Sequence, residues 1–319
     1  VTISKKRRST EHLQWETQFS LLTMHFAICM WGLLRSLHFT VDSIHKFCLD
    51  PIKNAGHTYE IFMHTYTFEG NYTNVRSGEK NLKLDFDEWK LLNPDHLFME
   101  DQDVFDKRTD YKSYETLGDP WKNNYSSFVN HIRAIHSLYN LSVEVEKASK
   151  KTHFDAVVYL RPDVTYLNEL PFYMLKHYPD ALFMADFHRA CEGNEYNDRM
   201  AMGNLTTAMI FGKKFEHALE YSRHKLLNSE KYTYDLLTAK NVSVIEIPFR
   251  FRRTRATGQY HFRDATGVIV PSEQYTDPIA INEDIVRKDL YCKPHPFIPE
   301  EKLAKYRILS GLDPSTLPV

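Results

Sequence analysis

Short apolar runs alternate with stretches of helical periodicity along residues 24–258 of the sequence. Six apolar runs bounded by turn-forming residues predict strands: His25–Met30, Tyr59–Met63, Ala156–Leu160, Ala181–Ala185, Thr207–Phe211 and Val242–Ile247. Three stretches with apolar residues on one face predict helices: Thr40–Asp50, Ser126–Lys147 and Phe215–Leu227. This alternation predicts an α/β fold with a mostly parallel, Rossmann-like central sheet flanked by helices.

The polar segments divide the chain further. We expect an N-terminal arm at residues 1–23, one α/β domain at 24–258, and a C-terminal extension at 259–319 that packs on the core. Within the domain, residues 67–125 are polar and irregular, and long excursions of this kind are often binding loops. Pro51 is expected to stop the helix that begins at Thr40, because proline lacks the backbone N–H that a helix uses.

The apolar stretch at residues 19–34 has two interpretations. It follows a basic run at residues 5–8, as a signal-anchor would. However, it is shorter than the roughly 20 residues that span a bilayer, and it ends at Arg35. The preferred interpretation is a buried first strand, so no membrane span is expected. The compartment stays open between the cytoplasm and, if an anchor precedes this sequence, the Golgi lumen.

Charge and motif content exclude several classes of function. The 40 basic and 42 acidic residues give a formal net charge of −2, which argues against a nucleic-acid partner. The four cysteines form no CxxC pair and the 16 histidines form no HExxH motif, so no zinc site is indicated. The sequence also has no GxGxxG, no GxxxxGK[ST] and no GxSxG, which argues against dinucleotide-binding, P-loop and α/β-hydrolase proteins.

Ligands of parallel α/β sheets bind at the carboxyl ends of the strands, and this selects the candidate residues. The candidates at the first two strand ends are Trp31, Gly32, Arg35, His64, Thr65 and Tyr66. A glycine lets a ligand approach the backbone, and an arginine matches phosphate oxygens. The plainer alternative is a strand-to-helix turn with a solvated arginine.

The central strand Ala156–Leu160 ends in Arg161-Pro162-Asp163. A carboxylate at a strand exit can hold a divalent cation that bridges the phosphates of a nucleotide. The alternative is a surface turn whose Arg161–Asp163 pair contributes little to stability.

Four more residues are candidates for the same site. Asp198 could accept a proton from a sugar hydroxyl or orient it, although an ordinary Asn/Asp turn also explains it. Asp186 follows the strand Ala181–Ala185. Arg255 belongs to a basic cluster that suits phosphate or, alternatively, a charged edge strand. Arg133 lies on the helix before the central strand and reaches the cleft unless it belongs to a solvated helix face.

Six stretches in this order carry a family resemblance: FAICMWGLLRSL, YEIFMHTY, WKNNYSSFVNHIRAIHSL, FDAVVYLRPDV, NDRMAMGN and RTRATG. Over roughly residues 24–258, the chain resembles a family of glycosyltransferase-like proteins found in algae, their large DNA viruses and bacterial surface-polysaccharide clusters. The resemblance implies a GT-A-type fold, which usually uses Mn²⁺ or Mg²⁺. The family's Asp-x-Asp motif corresponds here to Arg161-Pro162-Asp163, a single aspartate that leaves the metal in question.

The resemblance implies a transfer of sugar from a UDP-, GDP- or dTDP-linked donor to a glycan acceptor. The donor would be bound at Trp31, Gly32, Arg35, His64, Thr65, Tyr66, Arg133, Arg161, Asp163 and Arg255. Asp163 would position the diphosphate, directly or through the cation. Asp198 is the first choice for the acceptor-side carboxylate and Asp186 the second. A catalytically degenerate nucleotide-sugar or glycan-binding module is the alternative.

Overall fold

The computed structural model describes residues 23–74, 77–187 and 194–259. Its strands are β1 His25–Trp31, β2 Thr58–Thr67, β3 Tyr72–Asn74, β4 Glu79–Leu82, β5 His96–Asp101, β6 Ala156–Leu160, β7 Val164–Tyr166, β8 Leu182–Ala185, β9 Ala201–Gly203, β10 Val244–Ile247 and β11 Phe251–Arg253. Its α-helices are α1 Leu37–Ile44, α2 Asp50–Asn54, α3 Gln102–Arg108, α4 Ser126–Ala148, α5 Leu205–Gly212, α6 Phe215–His224 and α7 Ser229–Ala239. The predicted arm at residues 1–23 and extension at 259–319 lie almost wholly outside the described residues.

A seven-stranded sheet in the order β10-β8-β9-β6-β1-β2-β5 forms the centre of the domain. Six of its strands run parallel, and only β9 is antiparallel to its neighbours β6 and β8. The predicted α/β class and the mostly parallel central sheet are therefore confirmed. Two small antiparallel pairs lie beside the sheet: the hairpin β3–β4, and β7 with β11.

The alternation of side chains along β1 builds a core on each face of the sheet. Phe26, Ile28 and Met30 pack in one apolar cluster with helices α1 and α2. Ala27 and Cys29 point to the opposite face and pack with residues of α4 and α5. Because both faces are covered, the central strands are apolar throughout, as expected for parallel strands.

The predicted strand Thr207–Phe211 is wrong, because these residues lie in helix α5. The run is apolar on nearly every side because the helix packs against both the sheet and α4, so the sequence shows no clear period. Asn204 caps the helix, because its side chain accepts a hydrogen bond from the Thr207 backbone N–H at 2.9 Å. The strand of this region is the three-residue β9, which precedes the cap.

The helix near Pro51 also continues where we expected it to stop. A π-helical turn, His45–Leu49, joins α1 to α2, and the chain stays helical to Asn54. In a regular helix the carbonyl of Phe47 would accept a hydrogen bond from residue 51, which proline does not provide. Here the backbone N–H of Leu170 donates to that carbonyl at 2.8 Å. The proline is tolerated because a neighbouring loop takes over the lost hydrogen bond.

Two further boundaries differ from the prediction. Strand β2 runs on to Thr67, so His64, Thr65 and Tyr66 lie within the strand rather than after it. Strand β5 belongs to the stretch 67–125 and pairs with β2, so part of that excursion is an edge strand of the central sheet. Within the described residues, no helix combines the length and apolarity that a bilayer crossing requires.

Candidate functional site

A cavity of about 480 Å³ lies at the carboxyl edge of the parallel strands. Gly32 follows β1, Arg161 and Asp163 follow β6, and all three line it. Asp198 lines it as well, because β9 runs antiparallel and Ala201 pairs with Tyr159 near the end of β6. The segment before β9 therefore reaches the same edge as the segments after β1 and β6. The topology thus brings together residues more than 160 positions apart.

Asp163 is the centre of a buried ion cluster in the cavity wall. Its side chain is 1% exposed, and both carboxylate oxygens accept hydrogen bonds from arginine. Arg161 donates through Nε and Nη2, each at 2.8 Å, and Arg35 donates through Nη2 at 2.7 Å. Burial alone would raise the pKa of Asp163, but the charges of Arg161 and Arg35 outweigh it and hold this pKa well below its usual range.

The end of β1 forms the floor beneath Arg161. The guanidinium lies 4.8 Å from the centre of the Trp31 ring, which is a cation–π geometry. Gly32 has φ 106°, a conformation that favours glycine, and its backbone N–H donates to Ser137 Oγ at 3.0 Å. The strand can therefore turn away directly under the arginine. Trp31 and Gly32 were both expected to bind the ligand. They lie beneath Arg161 instead, and of the two only Gly32 lines the cavity.

A second carboxylate and a tyrosine also contact Arg35. Arg35 donates to the hydroxyl of Tyr72 on β3, and it lies 3.8 Å from Glu79 on β4. Glu79 also accepts a hydrogen bond from the backbone N–H of Ala256 at 2.7 Å, which ties the β3–β4 hairpin to the Arg255 segment. Burial and the neighbouring charge of Arg35 lower the pKa of Arg255 to about 10, so it stays protonated at neutral pH.

The fit of a divalent cation to this site can be tested on Asp163, the expected ligand. Both of its oxygens already accept hydrogen bonds from guanidinium groups, so a cation bound there would face the positive charges of both Arg161 and Arg35. The described part of the chain also brings together no group of three or more His, Cys, Asp or Glu side chains that could hold a metal ion. These residues fit a counter-ion role for Asp163 and do not fit a metal ligand.

A different set of polar residues surrounds Asp198. Asn197 is fully buried and donates to the Phe187 carbonyl at 2.8 Å, which anchors the loop. Asp198 lies 3.3 Å from the guanidinium of Arg199, which in turn donates to Glu230 at 3.3 Å. Arg161 lies close enough for its charge to act on Asp198, so the two groups of residues share one cavity.

The structure brings most of the predicted site residues together around the cavity. Those that line it are Gly32, Arg35, Tyr66, Arg133, Arg161, Asp163, Asp198 and Arg255. Arg133 has its own counter-ion, Asp106, to which its Nε donates at 2.9 Å. Trp31, His64, Thr65 and Asp186 are buried and lie outside the lining.

The predicted site residues that do not line the cavity have identifiable partners elsewhere. His64 bonds with Ser137 Oγ at 2.8 Å, and Thr65 accepts from the Leu34 backbone N–H at 3.1 Å. Asp186 forms a buried ion pair with Arg250. Strand β9 separates β8 from β6, and Asp186 at the end of β8 does not line the cavity.

The lining residues that were missed from the sequence include Tyr72, His131 and Glu230. Tyr72 belongs to the excursion, for which only a general binding role was expected. His131 lies on α4 one turn from Phe128, among residues whose spacing indicates a core-facing helix. Nothing in its local sequence distinguishes it from a packed histidine.

No family model and no curated protein sequence matches this chain. Among solved structures, it is similar to core-mannan synthase A from Aspergillus fumigatus in its Mn/GDP form, with 9% identity over 85% of this chain and 86% of that chain, and a TM-score of 0.43. It is also similar to apo mouse xyloside xylosyltransferase 1, with 12% identity over 86% of this chain and 96% of that chain, and a TM-score of 0.38. At these values the likenesses do not indicate a function. The functional assignment therefore rests on the site.

Proposed function

We propose that the protein is a GT-A-type glycosyltransferase that transfers a sugar from a nucleoside-diphosphate donor to a hydroxyl of a glycan or glycoconjugate. The observation that carries this proposal is the arginine cluster around Asp163 at the carboxyl edge of the sheet. Parallel α/β sheets bind ligands at this edge. Beside the cluster lies the carboxylate of Asp198, in the same cavity.

The charge of the cluster suits a diphosphate. Arg35, Arg161, Arg253 and Arg255 contribute four formal positive charges, and Asp163 and Glu79 contribute two negative ones, so these six side chains carry a formal surplus of two. Guanidinium groups bind phosphate oxygens in bidentate geometry. Because Asp163 already fixes Arg35 and Arg161, little of their side-chain entropy is lost when a diphosphate binds.

The same cluster supports the transfer step. When the bond between the anomeric carbon and the diphosphate breaks, negative charge accumulates on the leaving diphosphate. Fixed guanidinium groups in a partly enclosed cavity stabilise that charge more than water does. We propose that Arg161 and Arg35 take this role, which a divalent cation has in many GT-A enzymes. Asp198 is the carboxylate on the acceptor side.

Calorimetry with UDP, GDP and dTDP tests the proposal. Titrations in EDTA and in Mn²⁺ measure whether binding needs a cation, and release of the diphosphate from the matching sugar nucleotides measures transfer or hydrolysis. We expect one nucleoside diphosphate to bind in EDTA and its sugar nucleotide to be turned over. Binding without turnover would support the binding module instead. No binding of any of the three, with or without Mn²⁺, would refute the proposal.

A further inference from the structure

Two buried nitrogens in the described part of the cavity wall have no polar partner. They are Nε2 of His131 and Nε of Arg35. Asp198 Oδ1 makes no hydrogen bond either, but it has an ion pair with Arg199 at 3.3 Å. An unpaired buried polar atom is destabilising, so native proteins contain few of them. Two on the wall of one cavity indicate that a bound molecule supplies the missing hydrogen bonds.

His131 is packed into this wall. It lies on the second turn of α4, its side chain is 7% exposed, and its ring lies 5.6 Å from the ring of Trp121. Burial and the charge of Lys214 lower its pKa to about 4, against the opposite effect of Asp198. The imidazole is therefore neutral at pH 7, and in the tautomer protonated at Nδ1 its Nε2 accepts hydrogen bonds.

Asp198 is less suited to take a proton. Burial would raise its pKa, but the positive charges of Arg199 and Lys214 outweigh burial and hold the pKa well below its usual range. A carboxylate held this way is a weaker base than the imidazole of His131, whose pKa of about 4 is higher. Its charge is instead placed to stabilise a positive charge that develops on His131, because the two groups already interact electrostatically.

We infer that His131 is the residue that accepts the proton of the attacking hydroxyl, with Asp198 as the positioning residue that stabilises the resulting imidazolium. This inference rests on the proposed function. In the transfer step, the acceptor oxygen forms a bond to the anomeric carbon while the bond from that carbon to the diphosphate oxygen breaks. The electron pair leaves with the diphosphate, and the hydroxyl proton moves to His131 Nε2.

The variant His131→Gln tests this role, because glutamine still hydrogen-bonds but takes no proton. The probe is the UDP-, GDP- or dTDP-sugar that the wild-type protein turns over, with methyl glycosides as acceptors. We expect kcat to fall by at least about 100-fold, since proton transfer by a positioned side chain contributes about 10²- to 10⁴-fold. The Kd of the nucleoside diphosphate should change by less than about twofold, because His131 is not part of the arginine cluster.

A matched control and a second variant separate chemistry from structure. His57 is also buried and lies outside this cavity, where it accepts from the Met24 backbone N–H at 3.2 Å, so His57→Gln should keep the wild-type kcat. Added imidazole should restore part of the turnover of His131→Gly and none of that lost in Arg161→Gln. Turnover of His131→Gln within threefold of the wild type would overturn the inference and leave the proposed function standing. A wild-type protein that binds no nucleoside diphosphate would overturn both.

Discussion

Replacing Asp163 by asparagine removes the charge on which the arginine cluster depends. The variant keeps the shape of the side chain but leaves Arg35 and Arg161 with no carboxylate between them, at 9% and 18% exposure. Three hydrogen bonds of 2.7–2.8 Å lose their charged acceptor. Removing one partner of a buried ion pair costs about 3–5 kcal/mol. We therefore expect Asp163→Asn to lower the free energy of unfolding by about that amount at pH 7.

The pH dependence of this loss has a definite sign. The folded-state pKa of Asp163 is lowered, whereas an unfolded aspartate titrates near pH 4. Its contribution to stability is therefore complete above about pH 5 and is lost as the pH falls towards the folded-state value. Below about pH 4, the advantage of the wild type over Asp163→Asn should shrink by up to about 1.4 kcal/mol per pH unit, because the unfolded chain binds a proton that the folded chain does not.

Urea unfolding followed by tryptophan fluorescence at pH 7, 5 and 3 measures both effects. Urea is uncharged and does not screen the ion cluster. Asp87→Asn is the matched control, since Asp87 pairs with Lys90 at 2.6 Å but is 62% exposed. Exposed pairs contribute no more than about 1 kcal/mol. A stability loss in Asp163→Asn no larger than that of the control, or one that grows on acidification, would refute the assignment of Asp163 as the buried counter-ion.

Four other variants probe the site and the core. Arg161→Gln should weaken nucleoside-diphosphate binding at least about tenfold in calorimetry, since a charge-assisted bidentate contact is lost, whereas Arg223→Gln on the exposed face of α6 should leave the Kd unchanged. Asp198→Asn should lower kcat and leave that Kd within about twofold; a matching loss of binding would contradict an acceptor-side role. Asp186→Asn should lower the melting temperature and keep the Kd, because its partner Arg250 lies outside the cavity lining. Gly212→Ala should destabilise the fold by about 1–3 kcal/mol in urea titrations, as an added Cβ would lie 2.1 Å from Ser142 Oγ; unchanged stability would mean that α5 and α4 can separate.

Local sequence patterns were sufficient to predict those helices and strands whose own residues carry a clear periodic signal. The strand Ala156–Leu160 was predicted with its observed bounds, and Ser126–Lys147 differs from α4 by one residue. Both have an unambiguous signal: a strand apolar on both faces and a long helical period. The run Thr207–Phe211 lacks such a signal because the surrounding sheet and helix bury it on several sides. Its structure depends on the tertiary packing, which the local sequence does not encode.

The position of the candidate site was also predictable from local patterns, but the residues that other strands bring to it were not. Arg161, Asp163 and Gly32 follow parallel strands that are neighbours in the sheet, so the rule for strand ends applies to them. Asp186 also follows a parallel strand, but β9 separates that strand from β6. Asp198 reaches the cavity only because β9 runs in the opposite direction. Strand order and direction, which the sequence did not reveal, determine which of these carboxylates share a cavity.

The chemistry of Asp163 depends on spatial neighbours in the same way. At the end of a central strand, a lone aspartate suggests a cation ligand, because the residue type and the location suit one. Arg35, 128 positions away in the chain, converts it into the counter-ion of two arginines. A cation would add positive charge beside two guanidinium groups, whereas a diphosphate adds negative charge and satisfies them. The arginine cluster therefore favours direct binding of the anion, and a dependence of nucleotide binding on Mn²⁺ would be evidence that the cluster rearranges when the ligand binds.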